Sequence, residues 1–164
     1  MRGHLIVALA LLASAPAWAA EPSGCDKFKW PIERERAALT APDRPKLASG
    51  AEITAPAITL GLLAPAAAKL PTPPERSPKD GTFAGSVALK TAPKPGVYTI
   101  SLSSAAWVDV VQDGKILKPQ AFSGATDCDG IRKTMKYDLA ASPFVVQVSG
   151  ATDSTISLAV LPSE

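Results

Sequence analysis

The chain has 164 residues, 46% of them hydrophobic, 20% charged and 5% aromatic, with 16 prolines, two cysteines and one histidine. One domain's length at that apolar content excludes a wholly disordered chain, and two cysteines exclude a disulfide-dense mini-protein. A formal net charge of +2 lacks the basic surplus that nucleic acid or an anionic membrane surface would require.

Residues 1–19 read as a signal peptide. Arg2 supplies a positive start, Leu5 to Ala13 an apolar run, and Ala17-Trp18-Ala19 the small-x-small cleavage pattern. The run is shorter than the ~20 residues of a membrane span. An uncleaved anchor is one alternative. A lipoprotein through Cys25 is another, but Pro22 stands where a lipobox wants Leu. Cleavage after Ala19 removes Arg2 and the only histidine, His4, which lowers the formal +2 to +1. A histidine-free product cannot build a Ser-His-Asp triad, a Cys-His pair, a His-ligated zinc or a two-His-one-carboxylate iron site. The product is expected in the periplasm or outside the cell, as a monomer. No cofactor, metal, nucleic-acid partner or further membrane span is expected.

Cys25 and Cys128 are then expected to form a disulfide, the usual fate of an even count in an oxidising compartment. A redox or nucleophilic thiol is the alternative. Neither cysteine lies in a C-x-x-C motif, and no histidine remains to activate one.

Residues 20–82 read as an N-terminal segment packed on the rest. Ile32 to Leu39 can make two helical turns, with Pro31 suited to the first position. That helix is expected to dock through Trp30, Ile32 and Leu39, with its Glu/Arg alternation facing solvent. Ten of the sixteen prolines fall between residues 41 and 95, so most of this stretch must be extended or irregular. One strand is expected at Ala57 to Leu63. Pro65 to Gly81 reads as a surface loop in polyproline geometry. Pro71 and Pro74 also fit a PxxP recognition spacing, though its readers are mostly intracellular modules.

From residue 83 to 164 the texture is period two, broken by turn residues. Strands are expected at 83–89, 96–102, 107–112, 115–117, 131–139, 144–148 and 155–160. Asp113-Gly114 signals a hairpin between the third and fourth. The fold class is therefore all-β: a small antiparallel β-sandwich, jelly-roll-like, with a short N-terminal helix and a Pro-rich extended segment. Tyr98, Ile100, Leu102, Val108, Val110, Val146, Val148, Ile156, Leu158 and Val160 are the expected core. Val108 and Val110 oppose Trp107 and Asp109, so one pair faces inward.

Gly96-Val97-Tyr98-Thr99-Ile100-Ser101-Leu102, Trp107 to Gly114 and the closing Val146 to Gly150 and Ile156 to Val160 resemble bacterial pre-peptidase C-terminal domains. The resemblance covers Phe83 to Leu161 and implies a small β-sandwich with an accessory or carbohydrate-binding role. Across the whole chain, Trp30 to Arg36, Phe122-Ser123-Gly124 and Cys128 to Lys133 resemble a group of small exported proteobacterial proteins. A homogentisate dioxygenase activity, a label such chains sometimes carry, requires histidine-held iron. The chain beyond residue 19 cannot supply it.

Trp107 and Asp109 share a strand face, the arrangement by which sugar-binding sandwiches stack and orient a ring. Core packing of Trp107 is the plainer alternative. Arg132 and Lys133, adjacent and so expected on opposite faces of a strand, are candidates for an anion contact. Tyr137 is a further candidate ligand contact if exposed. Asp127-Cys128-Asp129-Gly130 resembles part of a calcium loop but lacks the third carboxylate and closing Glu, so a turn beside the disulfide is preferred. No second acid pairs with Asp109 as glycoside hydrolysis would require. The preferred reading is a non-catalytic envelope module with a small or carbohydrate ligand or an envelope partner. A structural protein without a small ligand is second, and a histidine-free hydrolase third.

Overall fold

A computed structural model describes residues 20–90 and 93–164. The expected signal peptide lies outside the described residues. A single 3-10 turn at Cys25–Lys27 leads into helix α1, Glu33–Thr40. Three short strands follow, β1 (Lys46–Leu47), β2 (Ala51–Glu52) and β3 (Ala57–Gly61), then a one-turn helix α2 at Pro65–Ala68. The remaining strands are β4 (Phe83–Leu89), β5 (Gly96–Leu102), β6 (Trp107–Gln112), β7 (Lys115–Leu117) and β8 (Ala121–Gly124). They end with β9 (Lys133–Leu139), β10 (Phe144–Ala151) and β11 (Thr155–Pro162).

One sheet has the order β1-β3-β11-β5-β9-β8 and the other β2-β4-β10-β6-β7. The inner four of the first, β3-β11-β5-β9, and β4-β10-β6-β7 of the second pair antiparallel and form a jelly roll. The expected all-antiparallel pattern fails at two edges: β1 pairs parallel with β3, and β2 with β4. The strand expected at 57–63 is β3, and it is a full member of the first sheet. Residues 113 and 114 close the β6–β7 hairpin with φ of 51° and 73°, the left-handed pair that a type I′ turn demands and Asp-Gly favours.

Between the sheets, Ile58, Leu60, Ile100, Leu102, Val110, Val148 and Leu158 are wholly buried, with Val108, Val146, Met135, Tyr137, Phe144 and Ile156 around them. The inward face of β6 is therefore the Val108–Val110 face. Two expected core residues sit at its margin instead: Tyr98 and Val160 are only half-buried against the cluster. Each lies near the end of its strand, where the facing sheet no longer covers it.

A second apolar cluster lies under α1, where Ile32 and Leu39 meet Ala57, Ala159, Cys128 and Ile131, flanked by Cys25, Phe28 and Trp30. Ala57 and Ala159 are cross-strand partners, and their small side chains let the helix approach the outer surface of the sheet. Pro31 precedes the helix's N-cap residue Ile32 rather than opening its first turn. The Glu/Arg face is not wholly solvated either: Glu35 is buried and paired with Arg34 at 3.2 Å.

The N-terminal segment is tied down by the Cys25–Cys128 disulfide, whose Cα atoms are 4.8 Å apart. Backbone bonds from Gly24 to Thr126 and from Thr126 to Pro22, both 2.8 Å, flank it. The Asp127 carboxylate accepts the Ser23 hydroxyl at 2.5 Å. That carboxylate holds the segment in place, as befits a turn beside the bridge. Among the described residues no helix is long and apolar enough to cross a membrane.

The outer face of the second sheet carries Ser86, Asp109, Gln147 and Ser149, all polar and all buried. The segment after α2 covers Asp109 and Gln147. Its Thr72 amide donates to Gln147 Oε1 at 2.8 Å, and Gln147 Nε2 donates back to the Thr72 carbonyl at 3.0 Å. The Glu75 amide donates to Asp109 Oδ2 at 3.2 Å. Backbone groups that a Pro-rich strap cannot satisfy internally thus find side-chain partners on the sheet. The stretch expected as a surface loop is a strap docked across a sheet face.

Candidate functional site: a cationic groove at one end of the sandwich

The strap's far end, the starts of β6 and β9, strand β8 and the end of β10 enclose a groove of about 450 Å³, within the usual range for small-molecule sites. Four cations line it, Arg76, Lys79, Arg132 and Lys133, together with the aromatic rings of Trp107 and Phe122. Among the described residues, Glu21 is the one carboxylate lining it. Its Oε2 accepts from Arg132 Nη2 at 2.5 Å.

Trp107 is the first residue of β6 and half-buried. Its indole N–H donates to Asp109 Oδ1 at 2.8 Å. The Arg76 guanidinium lies over the ring at 4.3 Å from its centroid, a cation–π contact. Of the expected pair, Trp107 lines the groove with Arg76 over one face of its ring, whereas Asp109 is not placed to orient a ligand. The indole face is engaged by Arg76, and Asp109 is buried behind the groove, where it fixes Trp107 and the Glu75 amide. Asp109 is a positioning residue.

Lys133 opens β9 on the same face as Met135 and Tyr137, so its stem enters the mouth of the sandwich. Its ammonium donates to the Ala106 carbonyl at 2.7 Å. It lies 5.9 Å from the Trp107 centroid and 5.4 Å from that of Phe122. Burial pushes the Lys133 ammonium's pKa down, and the positive charges of Arg132 and Arg76 push the same way. The folded protein therefore releases this proton at a lower pH than the unfolded chain does. The fold carries a penalty for the charge at neutral pH, and the penalty fades as pH rises toward the ordinary value of 10.5. An NMR titration of Lys133 Nζ should give a midpoint below 10.5, and Arg132→Gln should move it up. A midpoint at or above the ordinary value would contradict this.

Arg132 and Lys133 both reach the groove, contrary to the opposite-face expectation. Arg132 stands one residue before β9, outside the strand's alternation. Its guanidinium and the Phe122 ring pack over Gly124, where an added Cβ would meet Arg132 Nη1 at 3.4 Å, Phe122 Cζ at 3.3 Å and the Arg132 carbonyl at 3.0 Å. Glycine at 124 is what lets these two side chains lie side by side. Phe122 is 49% exposed, the free aromatic surface of the groove.

Tyr137 does not belong to the site. It is 2% exposed within the inter-sheet core. Burial, then the negative charges of Asp109 and Glu75, push its phenol pKa upward, so it stays protonated. Of the five expected binding residues, the fold gathers Trp107, Arg132 and Lys133. It sets Asp109 behind them and Tyr137 in the core.

Arg76, Lys79, Phe122 and Glu21 were not expected from sequence. Phe122 carried a readable signal: a large aromatic among Ala121, Ser123 and Gly124, with no apolar neighbour to share its face. Arg76 and Lys79 carried none, because only the strap's long-range docking brings them to the groove. No family model matches the chain, and no curated protein matches it.

Proposed function

We propose that the protein is an exported, non-catalytic binding module of the bacterial envelope that holds its ligand in the groove beside Trp107. One observation carries the reading: four cationic side chains converge on one concave site, and among the described residues only Arg132 has a carboxylate partner there. Concentrating like charge is costly unless something of opposite sign visits the site. A purely structural protein gains nothing from that arrangement.

The hydrolase reading draws less support. Glycoside hydrolysis uses two carboxyl groups across the scissile bond. Among the described residues Glu21 is the groove's one carboxylate, and it is tied to Arg132. The signal peptide read at residues 1–19 and the Cys25–Cys128 bridge favour an oxidising compartment.

Two measurements test the proposal. Intact-mass analysis of periplasmic extract should find a chain starting at Ala20 or Glu21; lipid on Cys25 or retention of Met1 would contradict export by cleavage. A heteronuclear NMR screen of the isotope-labelled protein against sugars, organic acids and peptides should move the amides of Trp107, Gly124 and Lys133 together. If no compound moves them, the structural reading replaces this one.

A further inference from the structure

We infer that the ligand is an acidic saccharide, a sugar bearing carboxylate or phosphate groups, and that Glu21 is a tethered stand-in for its anionic group. The inference rests on the groove being the binding site. The anionic requirement comes from pairing. Among the described residues no carboxylate lies within 4.0 Å of Arg76, Lys79 or Lys133, whereas six ion pairs form elsewhere or at Arg132. The three unpaired cations and the Arg132–Glu21 pair surround one volume. An oxyanion placed there gains charge-assisted hydrogen bonds from several directions.

The sugar requirement comes from the rest of the lining. Hydroxyl side chains also line the groove, Ser77 and Thr82 on the strap side and Ser149 and Thr152 on the β10 side; Thr82 donates to the Lys79 carbonyl and Thr152 to Asp153, which leaves their oxygens as acceptors. They match a ligand with many hydroxyl groups of its own. Phe122 offers an exposed ring for the C–H face of a pyranose, adjacent to Lys133. An aromatic base would seek Trp107, where Arg76 already lies over the ring. An extended peptide would add to a free strand edge, and the one edge strand lining the groove, β8, is only four residues long.

Glu21 shows how an oxyanion is received. Its side chain is 67% exposed, and its partner is the Arg132 guanidinium, itself only 22% exposed. The backbone bonds of Pro22 and Gly24 to Thr126, and the disulfide at Cys25, hold it near that seat. A tether this short sets an effective concentration of about millimolar. A ligand must displace it, so the free protein keeps Arg132 ordered and binds more weakly than the bare seat would.

Calorimetry and NMR with trigalacturonate, glucose 6-phosphate and neutral maltotriose test this on the mature protein. Trigalacturonate or glucose 6-phosphate should bind and move the amides of Phe122, Gly124 and Lys133, the two probes separating carboxylate from phosphate as the source of charge. Maltotriose should bind at least about tenfold more weakly. Arg132→Gln should weaken the acidic probe about tenfold, and Glu21→Gln should strengthen it several-fold with an unchanged melting temperature; a factor of ten corresponds to 1.4 kcal/mol. Should Arg132→Gln fail to fold, Lys79→Gln on the exposed strap serves in its place. Equal binding of maltotriose, or a Glu21→Gln protein that melts earlier without binding tighter, would overturn the inference and leave the binding module standing. Silence toward all three probes, with another compound moving the same amides, would do likewise. Silence of the groove toward every compound screened would overturn both.

Discussion

Removing the disulfide should lower the unfolding free energy by about 2–5 kcal/mol, the loss typical of small exported domains. Cys25 and Cys128 are 103 residues apart in sequence. For a closed loop near that length the chain-entropy model gives about 4.7 kcal/mol. The realised loss should fall below that figure, because the segment keeps other anchors. Ile32 and Leu39 still bury against Ala57, Ala159 and Ile131, and Thr126 still bonds to Pro22 and Gly24. Urea unfolding of the oxidised protein against a Cys25→Ser/Cys128→Ser protein measures the difference. A change below about 1 kcal/mol would mean that apolar docking alone fixes the segment. Two free thiols in the oxidised protein would contradict the bridge outright.

Tyr137→Ala should cost about 3–5 kcal/mol, as expected for truncating a large buried aromatic. The side chain fills the space between the sheets beside Met135 and Leu139. Tyr137→Phe keeps the ring and should stay within about 1.5 kcal/mol of the original. Equilibrium denaturation of both variants separates core packing from a ligand-binding role. If Tyr137→Phe folds normally but loses ligand affinity, the phenol reaches the ligand and its assignment to the core alone fails. If Tyr137→Ala costs under about 1 kcal/mol, the ring is not holding the sheets apart.

The fold was legible wherever one face of a strand meets one core. Tyr98-Thr99-Ile100-Ser101-Leu102 and Val108 to Val111 alternate because the facing sheet selects every second residue. Their strands fall at the expected positions. The pattern weakens where a second layer covers the outer face. Asp109 and Gln147 occupy positions that alternation assigns to solvent, yet the strap buries both. Period two distinguishes inward from outward and cannot say what lies outside. The two-residue strands β1 and β2 are too short to show any period.

The candidate site was legible in part for the same reason. Trp107 begins a strand at the expected boundary, so its position at one end of the sandwich followed from it; Lys133 was expected two residues inside a strand starting at Ile131, and the strand starts at Lys133 itself. Arg76, Lys79 and Glu21 reach the groove through chain segments without regular structure. Their arrival depends on Gln147 gripping Thr72 and on the bonds around Cys25, contacts across 75 and 103 residues of sequence. No local spacing encodes such contacts.

The first sheet ends in β1 and β8 and the second in β2 and β7, and these four strands are only 2, 4, 2 and 3 residues long. The rows of unsatisfied amides and carbonyls they present are too brief to recruit a strand from another molecule. Among the described residues, these four edge strands therefore offer little template for fibrillar growth by edge-to-edge addition.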